Sequence, residues 1–536
     1  MIELKGDDWL TLADPIHVNS GIVQKVIIDG KQYYPDSCAF LDTGQTICSR
    51  MKSASGGRVS YNTANSKIKA IKMANSLPSG FVPDSTNTIS LPTSEVPVYI
   101  FFNSDNSTLY VYSTAKVIVM NPDSRYAFAQ FRALTDLSGV ANWNTSRVRD
   151  LSYLFYYSYA ITHVNDLRNW NTSRVTNMSH MFELASKVSD VSGLAKWNTA
   201  RVTDMSGMFM RSGISDVTGM AMWDTSSVTT FFQMFAYTNK LSNVDGLLDW
   251  NTSSAVNMNG MFDHALGLQS VSGLSDWDVS HVTDMGAMFR ATEKLESLEG
   301  LEQWDVSNVT YMHYMFGDDI YDLYLSDISA LRDWKTTSLV NMNGMFHKQK
   351  RLSDFSAISG WDVSHVQAMD YIFRSTPIQS ADAFASWNTA SLTSLDGAFQ
   401  FCTRLTSISG LENWDVSHVT SLWGMFMGKS NYRVPLMDIS AMANWDTSSL
   451  TDIGYLFSYC TSLTDISPLS GWDTSRVTDF YYVFQATNSL RDASPIDGWD
   501  IDAGQSFTGM FQWSGATRKP AWNGTWDSNG TFIPAE

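Results

Sequence analysis

The sequence predicts an α/β repeat solenoid of about fourteen 27-residue coils, one short strand and one short helix in each, behind a small β-rich domain. Three observations predict it. Fourteen tryptophans from Trp143 to Trp499 recur at intervals of which nine in thirteen are 27 residues, and only five other tryptophans exist in the chain. Each of them heads a phrase such as "WDVSHVTDMGAMF", whose apolar positions stay apolar from copy to copy. Hydrophobic residues make up 44% and aromatics 13%, enough for a packed interior, yet no run of about 18 apolar residues occurs that would span a membrane. A short unit repeated at a strict period lacks the neighbours to bury its own apolar face, so the copies stack.

Residues 1–115 form the small β-rich attachment domain. "IVQKVIIDGKQYYP" carries an Asp-Gly hairpin signal, and "VYIFFNSDNSTLYVY" is a second hairpin with a polar tip. The stretch between them, "TANSKIKAIKMANSLPSGFVPDSTN", is loop-rich, and Cys38 and Cys48 are a candidate pair. The start, "MIELKGDDWLTLADP", has acidic residues where a cleaved leader needs a basic tip and an apolar run, so no signal peptide is expected. Residues 116–142 are a degenerate capping coil, because Phe128 precedes Trp143 by the same distance that separates Phe155 from Trp170.

The repeats proper occupy 143–511. With Trp at position zero, the next residue is Asp or Asn in thirteen copies and position three is Ser or Thr in eleven. Both kinds of side chain bond nearby backbone amides where a chain corners. The sequons at Asn144, Asn171 and Asn251 therefore read as turn residues. Position five is Val or Leu in twelve copies, position eight is always apolar and position twelve is always Phe, from Phe155 to Phe511. Positions eight, eleven and twelve have the spacing of one helical face, so "VTDMxxMF" predicts a capped short helix. Apolar residues at every third place before the next Trp, as in Val188, Val191 and Leu194, predict a short strand entering a turn. These stripes are expected to be core ladders and not a metal or cofactor site.

Two copies are longer, and both place the extra residues after the Phe: "GDDIYDLYLSDI" after Phe316 and "MGKSNYRVPLMDI" after Phe426. Insertions in solenoids emerge as loops on one face, often the binding face. Residues 512–536, with two Asn-Gly pairs, predict turns or a hairpin as a C-terminal cap.

The formal charge is −18, and all of it lies beyond residue 128, since residues 1–128 hold 11 basic and 11 acidic side chains. Such a surface repels phosphate backbones and anionic lipid heads, so neither nucleic acid nor membrane insertion is expected. No phosphate-cradling, zinc-protease, CxxC or nucleophile-elbow motif occurs, and His17 is the only histidine of the first 115 residues. No catalytic residue, metal or cofactor is expected. Candidate contacts for a partner are the variable polar column at position four, namely Arg147, Arg174, Arg201, His281, Asn308, His365, His418 and Arg476. A second candidate set is the tyrosines Tyr156, Tyr157, Tyr159, Tyr481 and Tyr482, since tyrosine favours interfaces.

"WDVSHVTDMGAMF", "WNTSRVTDM" and "LTSISGLENWDVSHVTSL" resemble the repeats of BspA-like leucine-rich-repeat surface proteins and of mycoplasma-type surface lipoproteins. The resemblance covers about 116–536. It implies a leucine-rich-repeat-like solenoid acting in adhesion or surface recognition, outside the cell, on a glycan or protein receptor. The chain departs from those proteins in showing no leader or anchor, and similar repeats resemble those of bacteriophage tails. The leading expectation is therefore a tail receptor-binding protein in which residues 1–115 dock on other tail proteins. The alternatives are a bacterial surface adhesin, a structural decoration protein of a particle, and, last, an enzyme with a site in residues 1–115.

Overall fold

The computed structural model describes residues 38–502 and 504–535, with the backbone of four short strands between Val18 and Tyr33. His17 and Cys38's upstream neighbours lie outside the described side chains. Two compact units divide the chain, Met1–Val228 and Thr229–Glu536.

In the first unit, β1 (Val18–Asn19) pairs with β2 (Ile22–Val23), and β3 (Val26–Ile28) pairs with β4 (Lys31–Tyr33), both antiparallel; the second pair is the Asp-Gly hairpin. After β5 (Cys38–Phe40), an α-helix that the sequence reading did not anticipate, α1 (Gly44–Ala54), buries Ile47, Cys48 and Met51. β6 (Ala70–Met73), inside the supposed loop, pairs in parallel with β8 (Thr108–Tyr112), which pairs antiparallel with β7 (Tyr99–Asn103) as the second expected hairpin. β5 runs parallel to β9 (Val117–Val119), and Val119 bridges Asn144, so this segment covers the end of the stack. The candidate Cys38–Cys48 pair does not form. Cys38 packs with Phe40 and Val119, while Cys48 turns its Sγ toward the Ala129 carbonyl at 3.7 Å; all four cysteines are buried and free.

Within each unit the coils do stack, but not as strand plus helix. Backbone N–H groups of Leu151, Tyr153, Phe155 and Tyr157 donate to the carbonyls of Asn177, Ser179, Met181 and Glu183 in the next coil, at 2.8–3.0 Å. The N–H groups between them, of Leu154, Tyr156 and Ser158, close turns on their own coil at 3.0–3.2 Å. This alternation requires left-handed residues: φ is +57° at Tyr153 and again at Tyr157, and position ten is left-handed in all fourteen coils. An α-helix would spend every N–H on its own fourth neighbour and offer none to the next coil. The expected short helix is therefore a run of tight turns, which keeps positions eight, eleven and twelve on one buried face.

The expected strand is corrected too. The every-third-residue apolar triplet ends in a 3₁₀ turn just before each of several tryptophans, as at Ser192–Leu194, Ser272–Leu274 and Ser329–Leu331. Three residues per turn is the 3₁₀ period, so the triplet reports that turn and not a strand. Parallel pairing survives as single bridges, chiefly at position seven: Asp123, Asp150, Asn177 and Asp204 in the first unit, and an unbroken series from Thr230 to Ser506 in the second.

The tryptophans and phenylalanines form the expected ladders. In the second unit Phe262, Phe289 and Phe316 stack with centroids 5.7 and 5.8 Å apart, and Trp250, Trp277 and Trp304 at 6.3 and 6.5 Å. Most of the indoles also donate to a backbone carbonyl of the preceding coil, as Trp277 Nε1 does to Leu247 at 2.9 Å. Trp143, at the start of the series, has a buried Nε1 without a partner. At the other end Trp522 repeats the bond, to Ile496 at 3.2 Å, and the hairpin of β10 (Gly524–Trp526) and β11 (Phe532–Pro534) follows it. No helix among the described residues is long and apolar enough to cross a membrane.

Side chains at position ten lie over the next coil, and this explains a glycine. Gly344 has φ +60°, and a Cβ there would stand 2.5 Å from the Tyr314 ring. Gly344→Ala is expected to cost about 1–3 kcal/mol, combining the left-handed penalty with displacement of the ring. Gly471→Ala, with open space around it, should stay within about 0.5 kcal/mol. Denaturant midpoints of both, repeated on a Tyr314→Ala background, check this: removing the ring should recover the steric share.

Candidate functional site

The two insertions of the second unit are built to stand out from the coils. In 317–328, Asp318 is completely buried; its Oδ1 accepts from Arg290 Nε at 3.0 Å and its Oδ2 from the N–H groups of Ile320 and Tyr321 at 2.5 and 2.6 Å. Downstream, Leu323 exchanges backbone bonds with Lys348 and Lys350, and Gln349 Oε1 accepts from the Leu325 N–H at 2.9 Å. Leu323 and Leu325 are buried, whereas Ile320 is 70% exposed at the tip. In 427–439, a tight turn joins Lys429 and Tyr432 through mutual backbone bonds of 2.9 and 3.1 Å, and Val434 and Leu436 tuck underneath. Apolar residues hold each base.

Between the tips runs an open groove of about 500 Å³. Its floor comes from successive coils: Lys348, Ser375 and Phe401 all sit at the left-handed position fourteen, which turns their side chains outward. Asp319, Asp322 and Tyr324 form one wall, Lys429 and Tyr432 the other, with Lys350 and Arg374 between. The cations ride on rings. Arg374 lies 5.1 Å and Lys429 5.0 Å from the centre of the same Phe401 ring, and Lys429 is 4.8 Å from Tyr432. Lys350 pairs with Asp322 at 3.5 Å, and Lys348 Nζ donates to the Ile320 carbonyl at 2.8 Å. Arg374 and Lys429 have no carboxylate within ion-pair distance among the described residues, and Arg374 Nε is buried without a partner.

Beneath the first insertion His347 is fully buried, its Nδ1 standing 3.3 Å from Asp319 Oδ1 at an angle that makes no hydrogen bond. Burial pushes its pKa below the usual 6.5, against the pull of Asp319, and the Arg374 charge pushes the same way. A histidine with a lowered folded pKa contributes stability that is present above about pH 6.5 and lost as pH falls below it. The melting temperature should therefore drop more between pH 7 and pH 5 for the native chain than for His347→Gln. Parallel slopes would contradict this.

The position-four column is solvent-facing but not brought together as a pocket. His281, Asn308, His365, His418, Arg476 and Arg201 are exposed, and Arg174 is half-buried. Arg147 is half-buried over the Phe40 ring at 5.3 Å. Asn308 Nδ2 is spent on the Ser280 carbonyl of the preceding coil at 2.7 Å, and His281, His365 and His418 each contact the serine before them. Tyr156, Tyr157 and Tyr159 are half-buried and form a chain of ring contacts at 4.5 and 5.5 Å, with Arg132 over Tyr159. Tyr481 accepts from Trp423 Nε1 at 2.9 Å, and Tyr482 stacks on Tyr455. Asn144, Asn171 and Asn251 each accept the N–H two residues on, as turn residues do. No group of three His, Cys, Asp or Glu among the described residues is arranged to hold a metal ion.

Sequence reasoning marked both insertions but missed the groove floor, because Lys348, Lys350, Arg374 and Phe401 come from three different coils. Their shared signal was position: cations and an aromatic at thirteen to sixteen residues after Trp, between the two long repeats.

A family described as "Mycoplasma protein of unknown function, DUF285" matches residues 123–216, 212–322, 267–376, 318–435 and 393–526, together three quarters of the chain. Among solved structures, the functional domain of InlJ from Listeria monocytogenes, which includes a cysteine ladder, aligns over 68% of each chain at 10% identity with a TM-score of 0.20. No curated protein matches the sequence.

Proposed function

We propose, since the chain belongs to the DUF285 family, that it is a non-enzymatic recognition protein whose repeats bind a cell-surface receptor. The observation that carries this reading is the groove between the insertions, where Arg374 and Lys429 crowd the half-buried Phe401 ring and neither has a carboxylate within ion-pair distance among the described residues. A surface kept in that state is prepared for a partner, because two like charges on one ring gain from an anion placed between them. In its more specific form the protein is carried by a phage-like tail particle and residues 1–115 dock on the particle. The neutral balance of residues 1–128, against −18 on the rest, supports such a division between docking and recognition. Within the second unit, the exposed position-four residues His281, His365, His418 and Arg476 are further candidate contacts.

The test is staining of a panel of intact bacteria with the fluorescently labelled full chain. Selective staining of some strains, displaced by unlabelled chain, is the expected result. Uniform staining, or none on any strain, would count against recognition.

A further inference from the structure

We infer that the groove between the two insertions binds a saccharide bearing an anionic group, a carboxylate or a phosphate; this rests on the recognition reading above. Charge is the first reason. In a chain of net −18 the groove sets Lys348, Lys350, Arg374 and Lys429 against Glu293, Asp319 and Asp322, and Arg374 and Lys429 have no carboxylate within ion-pair distance among the described residues. Both lie about 5 Å from Phe401, so an anion entering above that ring meets two cations at once. Arg374 Cζ also lies 5.3 Å from the centre of the Tyr371 ring, and its Nε has no hydrogen-bond partner, so the guanidinium keeps donor capacity for an oxyanion.

The second reason is the kind of surface beside the cations. Half-buried Phe401 and the 43% exposed Tyr432, with ring centres 6.1 Å apart, put apolar ring surface beside the cations in an open groove, where the C–H groups of a sugar ring can pack. An acidic peptide added as a strand would need free backbone groups to pair with. The groove floor has none to give at Lys348, Ser375 and Phe401, whose N–H groups already donate to Arg374, Gln400 and Met427 of the next coils at 2.8 Å. The anion and the ring are therefore expected on the same ligand unit, one on the cations and one on the aromatics.

Biolayer interferometry of the full chain tests this against four probes: polygalacturonate, its methyl ester, phosphomannan and poly-L-glutamate. Saturable binding of polygalacturonate or phosphomannan is expected, with the methyl ester and polyglutamate weaker by about tenfold or more, equivalent to at least about 1.4 kcal/mol. The preferred polymer names the anion. Arg374→Gln combined with Lys429→Gln should weaken that binding by a similar factor, and Lys429→Gln alone, in an exposed turn, should weaken it with the melt unchanged. Equal binding of polyglutamate would show that charge alone is read and would overturn the saccharide assignment. Failure of both polymers, on a chain that still stains cells, would overturn this inference while leaving recognition itself standing.

Discussion

Phe289→Ala is expected to lower stability by about 3–5 kcal/mol, the range for emptying a well-packed aromatic site. Phe289 is completely buried between Phe262 and Phe316, and its backbone N–H is already committed to Met315 of the next coil at 3.0 Å. The hydrogen-bonded ladder fixes the spacing of the coils, so the neighbours cannot collapse into the space. His281→Ala, four residues after Trp277 and exposed, should stay within about 0.5 kcal/mol. Thermal and denaturant midpoints of the two variants separate interior from surface in one comparison. Similar losses in both would contradict the ladder.

Asp318→Ala is expected to cost about 3 kcal/mol and to free the first insertion. The substitution removes the acceptor of Arg290 Nε and of two backbone N–H groups, all of which meet at a carboxylate with no exposure. Losing one partner of a buried pair costs roughly 3–5 kcal/mol; the lower end applies because the Arg290 side chain keeps 30% exposure. Asp318→Asn retains an acceptor oxygen and should lose less. Limited proteolysis gives the second readout: new cleavage within 317–325 in the alanine variant, absent from the native chain. An unchanged melt and cleavage pattern would mean that Asp318 does not anchor the loop.

The sequence disclosed which residues are inside more clearly than how the backbone runs. A period of 27 forces Trp, Phe and Met into register, so ladders follow from spacing alone. Apolar spacing, however, specifies only a face, and a run of turns with left-handed residues serves that face as well as a helix does. The contrary sign was present: position ten is glycine in six coils, among them Gly207, Gly344 and Gly509, which an ordinary helix would not favour. The triplet before each Trp is legible, but it ends in a 3₁₀ turn in twelve of the fourteen coils and in an ordinary turn before Trp304 and Trp414. Helix α1, "GQTICSRMKSA", escaped because its buried side is short and mixed with polar residues. The groove escaped because stacking, and not sequence proximity, brings Lys348, Arg374, Phe401 and Lys429 onto one surface.

The most direct test of where recognition lies is hydrogen–deuterium exchange of the full chain with and without envelope material from a strain that it stains. The account predicts slowed exchange in the insertions 317–328 and 427–439 and at the floor segments carrying Lys348, Arg374 and Phe401. Protection instead at the position-four column, around His281, His365 and His418, with the insertions unchanged, would contradict it.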